Sequence, residues 1–349
     1  MVQRRAVFLS ICSLLLLIQT SSHGVEIIAD EQVSLYGRLS LDSYWGRDGE
    51  ESHLGLSSND TYIGFNGKIP LEQGYRALWQ LEQSINLDEG GNSWASRDSF
   101  IALTNDTLEF KVGQFDTPYK KVLSPIGYFE ATLGDLRSIV GASASAAGLN
   151  VNLRAKNSMQ TTWQVNSQLK LVGAYSSDIV GGDPSVDDND RDLSSIAGYW
   201  KADKLWLGAA WQTQELQGIS GLRVVAKLDN GNFVLGGFAE LTNSDDIAFH
   251  EHLTFGGNIK YPWMTNNYLV GQLVIVEEDD SIDDSSAVQL TGGAFHNLGQ
   301  NFKVYGTFSL VSNDKGAAYG LGFERSDQLV SSGAGEDVVA FALGFLVEI

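Results

Sequence analysis

Alternation restricts this chain more than any other feature. From residue 33 onward, segments of about ten residues change character at every second position, and turn residues separate them. In "VSLYGRLSLDSYWG" (33–46), Val33, Leu35, Gly37, Leu39 and Leu41 share one face, and Ser34, Tyr36, Arg38, Ser40 and Asp42 the other. A period of two belongs to a strand with unlike surroundings on its two sides. Helical periodicity is nearly absent, and 38 glycines interrupt almost every segment. The pattern by itself leaves one choice open. Leucines turned inward describe a soluble sandwich; leucines turned outward describe a membrane barrel with Arg38 in its lumen.

The first 24 residues stand apart. "MVQRRAVFLSICSLLLLIQTSSHG" places Arg4 and Arg5 before an apolar run from Ala6 to Ile18 and closes on small polar residues. This is the layout of a secretory signal peptide, and the run is short for a membrane-spanning helix, which needs about 20 residues. Residues 25–349 then form a single domain without cysteine, because Cys12 lies in the leader. Disulfides and thiolate metal sites are thereby excluded from the exported chain. The whole chain carries 23 Lys and Arg against 43 Asp and Glu, and loss of the leader makes the formal charge of −20 more negative still. That balance argues against nucleic acid as a partner.

No later apolar run is long enough for a spanning helix. Strands are expected at 33–45, 60–69, 74–86, 95–104, 107–115, 148–165, 168–176, 193–201, 204–214, 218–228, 232–242, 250–261, 265–277, 286–297, 301–312 and 337–349. These make about sixteen, an even number, as antiparallel closure requires. Tight turns such as "DNGN" (229–232) interleave with long acidic links such as "SSDIVGGDPSVDDNDRD" (176–192) and "EEDDSIDDSS" (277–286). Short turns on one rim and long loops on the other are the build of an outer-membrane barrel. Trp45, Trp94, Tyr199 with Trp200, Trp211, Tyr261 with Trp263, and Tyr268 sit near strand ends, where amphipathic rings meet the membrane–water boundary. The fold class expected is therefore all-β: a transmembrane antiparallel β-barrel.

Catalytic motifs are missing. No Gly-x-Ser-x-Gly elbow, phosphate loop or zinc-protease motif occurs. His250 and His252 share a strand face but lack a third ligand, so they read as a solvated strand-end pair. Asp188, Asp190 and Asp192 imitate a calcium loop for three positions, which then fails with Leu193 where glycine is required. No enzyme, metal or cofactor is expected. An outer-membrane enzyme would need a nucleophile and base that the sequence does not offer. A secreted soluble β-rich binding protein is the remaining alternative outside the membrane.

Several stretches resemble the general porins of Gram-negative bacteria. "VSLYGRLSLD" resembles that family's first strand, and "TYIGFNG" with "GYRALWQLEQSINLD" its second and third. "SRDSFIALTNDTLEFKVGQFDTPY" is similar to its fourth and fifth, closing on Gly-x-x-x-Thr-Pro, and "GAAYGLGF" (316–323) to part of its last long loop. The chain departs from the family at its end, Ile349 in place of phenylalanine, and the position after the strand-five glycine, often an arginine or other polar residue in the family, is Gln114. The resemblance implies a sixteen-stranded homotrimer in the outer membrane, among lipid and lipopolysaccharide. It would pass small polar solutes and ions by diffusion, or one substrate in a specialised variant. One long loop, residues 116–148, would fold into the lumen and constrict it. The loop carries Asp116, Glu130 and Asp135. On the facing wall, strand parity turns Arg38, Arg76 and Arg154 inward, and the family match adds Arg97. Arginines facing carboxylates across a narrow gap would set up a transverse field that orients polar solutes.

Overall fold

The computed structural model describes residues 25–26, 33–88, 95–142, 150–179, 191–244, 251–280 and 282–349. The leader, Trp94, His250, Asp188 and Asp190 lie outside the described residues. Sixteen antiparallel strands close into one barrel. They are β1 (Val33–Arg47), β2 in two arms (Ser52–Ser58 and Tyr62–Pro70), β3 (Arg76–Ser84), β4 (Ser99–Thr104) and β5 (Leu108–Asp116). β6 (Arg154–Gln164), β7 (Leu169–Ser176), β8 (Leu193–Lys201), β9 (Leu205–Gln214), β10 (Ile219–Asp229) and β11 (Val234–Ser244) follow. The ring ends with β12 (His252–Pro262), β13 (Asn267–Val276), β14 (Ala287–Asn297), β15 (Phe302–Asn313) and β16 (Val338–Glu348). Each strand pairs with the next, and β16 returns to β1 through a ladder from Val339↔Arg47 to Glu348↔Arg38. Closure leaves no open edge, the condition for a sheet to cross hydrocarbon.

The burial pattern answers the question left by the alternation. Leu54, at 80% exposure, Leu56, Ile101, Ile196, Leu241 and Leu343 point out of the barrel, while Ser40, Asp42, Ser195, Gln212, Thr254, Gln289 and Ser309 are buried within it. A soluble binding protein would expose an apolar belt of this kind to water at great cost. Parity places Leu39 and Leu41 outside and Arg38, Ser40 and Asp42 inside.

All sixteen expected strands are present, with adjusted ends. β6 begins at Arg154 rather than 148, and β4 at Ser99 rather than 95. The larger difference is the first arm of β2, Ser52–Ser58, which the expected strands leave out; its inner face carries only His53, Gly55 and Ser57. The two arms are separated by Asn59–Thr61, where Asp60 takes a left-handed φ of 46°. Aspartate tolerates that region better than most residues.

A second core lies inside the barrel. Tyr119, Val122, Leu123, Ile126, Leu133, Leu136, Ile139 and Val140 of the β5–β6 connection are buried against Ala197, Ala210, Ile219, Val225, Phe238, Val274 and Val276 of the wall. Inner-face glycines make room for it. A Cβ at Gly208 would lie 2.6 Å from Val122 Cγ2, and one at Gly236 would lie 2.6 Å from Ile126 Cγ2.

Candidate functional site: a charged wall opposite an inward segment

The inward turn begins at a bulge. Gly113 has φ of 146°, and a Cβ there would stand 2.3 Å from the carbonyl oxygen of Ser99, so only glycine fits. The β5–β6 register slips between Gly113 and Phe115. Thr117 then accepts a hydrogen bond from Lys120 N and, with Pro118 at the first position, starts the short helix α1 (Pro118–Lys121). From there the segment crosses the inner face of half the barrel. Asn258 donates to Ile126 O at 2.7 Å and Gln272 to Gly134 O at 2.8 Å. Gly322 N and Phe323 N donate to Ser138 Oγ at 3.0 and 3.1 Å.

Its root is held by a buried charge pair. Arg223 and Glu240 have side chains wholly removed from solvent and bond to each other. Tyr119 donates its hydroxyl to Glu240 at 2.9 Å, Arg223 donates to Tyr119 O at 2.8 Å, and the guanidinium lies 4.1 Å from the Tyr119 ring centre.

On the opposite wall the break in β2 presents Asp60 to two arginines. Arg38 lies 2.8 Å from Asp60 Oδ2, and Arg97 lies 2.6 Å from Oδ1. Arg97 also reaches Glu82 at 2.5 Å, which accepts from the Tyr36 hydroxyl at 3.0 Å. Arg154 bonds Asp98 at 2.7 Å and lies 3.2 Å from Asp116. Asp116 in turn faces Lys120 at 3.0 Å and Lys121 at 3.4 Å. Arg137 joins Asp135 at 2.5 Å, Glu130 at 3.3 Å and Glu324 at 3.3 Å, and Lys120 also binds Glu324. Burial alone would raise the Glu324 carboxyl; Arg137 and Lys120 overcome it and hold the group at about 2. Burial lowers Lys121, but Asp116 and Asp98 outweigh it and the ammonium ends above its ordinary value.

The sequence-derived residues therefore divide. Arg38 and Arg97 share one carboxylate, and Arg154 and Asp116 meet near them. Glu130 and Asp135 gather on Arg137. Arg76 stands apart: it pairs with Asp106 at 3.2 Å in a short turn, where Asp106 is 92% exposed. The charges are interleaved as direct ion pairs rather than parted into an arginine wall and an acidic loop. Asp60, Glu82, Asp98, Lys120, Arg137 and Glu324 belong to the arrangement and were not singled out from sequence. For Glu82 the signal was present, since it shares the parity of Arg76 along β3. Asp60 and Glu324 lie outside regular strands, where parity gives no guidance. Oxygens of Asp60, Glu130 and Glu324 come within 4.8 Å of one another, a spacing that could admit a cation. Arg38, Arg97, Arg137 and Lys120 reach these three carboxylates directly, so an ion-pair network accounts for the cluster.

A closed barrel with an inward loop and a charged inner wall is the architecture of a bacterial porin. A sequence profile described as Gram-negative porin matches residues 21–316, and the chain belongs to that family. It is 29% identical over 100 residues to the major outer membrane protein P.IA of Neisseria meningitidis serogroup C, covering 28% of this chain and 25% of that protein. It is 25% identical over 124 residues to protein P.IB of Neisseria gonorrhoeae, covering 33% of this chain and 36% of that one. The matches thus span about a quarter to a third of these relatives' length. Among solved structures, the anion-selective porin from Comamonas acidovorans superposes with a TM-score of 0.78 at 19% identity, covering 91% of this chain and 99% of that one. OmpT of Vibrio cholerae superposes at 0.65 and 13% identity, covering 93% and 99%. At those identities the likeness is one of fold. Family and fold together define an outer-membrane β-barrel that points to a channel rather than an enzyme.

Proposed function

We propose that the barrel passes small hydrophilic solutes and ions by diffusion, through the opening between the β1–β6 wall and the segment 116–148, of which 143–148 lie outside the described residues. The carrying observation is the asymmetry of that segment. Its apolar face is buried against one half of the wall, and Arg137, Glu130 and Lys121 are turned toward the other half, where Arg38, Arg97 and Asp60 stand. Arg38, Arg97, Arg154, Asp116, Glu130 and Asp135 border the narrow stretch, and Arg76 belongs to the entrance on the short-turn rim. Ion pairs packed along a water-filled gap keep local fields that salt screens incompletely. No covalent step is required.

Residues 1–24 direct export, and the mature barrel is a homotrimer set among lipid and lipopolysaccharide. Family membership supports both readings. Deleting residues 126–140 tests the constriction in a planar bilayer: single-channel conductance rises while the barrel still folds. Unchanged conductance in a folded deletion variant would move the segment out of the conduction path. Gel mobility that shifts on boiling supports a closed, multimeric barrel, and extraction into buffer without detergent would refute membrane insertion.

A further inference from the structure

The inner wall carries a second set of basic residues that no ion pair among the described residues uses. Lys68, Lys111, Lys170, Lys227, Lys260 and Lys303 lie on six different strands, each within a few residues of its short-turn end. All have inward parity: Lys170 stands opposite Tyr199, Lys227 opposite Trp206, and Lys303 opposite Leu346 of the inner face. None of the six has a described carboxylate within 4.0 Å, whereas Arg38, Arg97, Arg137, Arg154, Arg223 and Lys120 all do. Aromatic faces hold three of them instead. Lys111 Nζ lies 4.0 Å from the Phe115 ring centre, Lys170 lies 4.6 Å from Tyr199, and Lys260 lies 4.2 Å from Tyr268. A ring face positions an ammonium without cancelling its charge. An ion pair does cancel it.

These lysines do not serve the lipid surface: their parity is inward, and the outward positions on the same rim include Trp163, Trp200 and Tyr261. Carboxylates on this half of the lumen, Glu109, Asp229 and Glu348, are fewer, and Glu348 is shared with Arg38 at 3.6 Å. The long-loop mouth is acidic by contrast, with Glu251, Glu277, Glu278 and Asp280 along one stretch of its rim. Short turns face the periplasm in barrels of this type.

We infer that the short-turn vestibule is a binding chamber for multivalent anions, of the oligophosphate or polycarboxylate class, and that it takes them from the periplasmic side. The inference rests on the channel reading above. Several unneutralised ammonium groups around one aqueous space act together on a solute carrying several negative charges, and weakly on one carrying a single charge. Anions arriving from the other side must first pass the acidic mouth and the paired narrow stretch.

The test uses the full-length barrel in a planar bilayer, with inorganic tripolyphosphate as probe and chloride as the monovalent control. A Glu50→Cys tag at the long-loop rim, reacted from one chamber with a membrane-impermeant thiol reagent, identifies which side is which. Tripolyphosphate added on the short-turn side should block the potassium chloride current at about tenfold lower concentration than on the long-loop side. The combined change Lys170→Gln, Lys227→Gln, Lys260→Gln and Lys303→Gln should abolish that advantage while open-channel current persists. Lys204→Gln, in the turn outside the lumen, should leave it intact. Equal block from both sides, or block that survives the fourfold change, would overturn the inference. A barrel with no current at all would instead refute the channel reading beneath it.

Discussion

The two halves of the barrel solve opposite problems with the same strand pattern. Along β1–β6 the inner face is charged, with each guanidinium of the narrow stretch bonded to a carboxylate: Arg38 and Arg97 to Asp60, Arg154 to Asp98. Along β8–β14 the inner face carries Ala197, Ala210, Val225, Phe238 and Val274, and the β5–β6 connection lies on it as it would on the core of a soluble protein. The first half gathers the charges; the second is filled. A lumen need not be polar all round. It needs to be polar only where solvent reaches it, and a loop with an apolar face can cover the remainder.

The strongest way to break that comparison is at Arg223 and Glu240, the charged pair inside the apolar half. Glu240→Ala leaves the guanidinium buried without its carboxylate, which should cost about 3–5 kcal/mol and loosen the segment at Tyr119. Denaturant titration of the detergent-solubilised barrel reads the loss, and protease susceptibility near residue 119 reads the loosening. Replacing both residues with leucine should recover most of the stability, because the desolvation of two charges disappears with them. A Glu240→Ala variant as stable as the parent would show that apolar contact alone holds the segment.

A smaller effect separates the inner and outer faces of β1. Leu39→Arg places a cation against hydrocarbon and should cost roughly 2–4 kcal/mol near the bilayer midplane, measured as impaired folding into lipid vesicles. In the chain after residue 24, single cysteines at 36 and 38 should react with water-soluble reagents and those at 35, 39 and 41 with lipid-confined ones. The reverse labelling would invert the barrel.

Arg38→Gln touches only the charged half. It should cost less stability than either change above, because Asp60 keeps Arg97 as a partner at 2.6 Å. The reversal potential in a salt gradient should move toward cations, as one positive charge leaves the wall. An unmoved potential would remove Arg38 from the conduction path.

The smallest effect is the pH response of the seam between the halves, where Glu324 ties Lys120 and Arg137 to the last long loop. Its folded pKa of about 2 lies below the ordinary 4.5, so its contribution is complete above pH 4.5 and is lost as pH falls toward 2. Current noise should therefore be the same at pH 7 and pH 5 as far as this group is concerned, and rise only below about 4.5. Glu324→Gln should show the acid behaviour at neutral pH.

Much of this was legible before the structure. Period-two alternation located every strand of the ring, because a sheet between lipid and lumen writes its two environments on alternate residues. It also oriented Arg38, Arg76 and Arg154 inward, as parity is a property of the strand itself. The resemblance marked Arg97 and the inward segment. The first arm of β2 escaped notice because its outward Leu54 and Leu56 alternate with His53, Gly55 and Ser57, too short a run among small and polar residues to stand out from a turn.

The sequence by itself determined an all-β barrel, the lipid-facing side of its strands and the residues that turn away from lipid, since each follows from spacing along a single strand. Only the tertiary structure decided which inward residues meet. Asp60 reaches two arginines because β2 breaks between its arms; Arg76 is excluded because its strand ends at the rim; Glu324 arrives from a loop far along the chain. The filled half was also a tertiary matter. Alternation predicts a polar inner face, and Val225, Phe238 and Val274 violate it because another part of the chain, not water, is their neighbour. Ion pairs and cores depend on distances across the barrel, and those are fixed by ring closure and by how the loops fold back, neither of which is written in the local period.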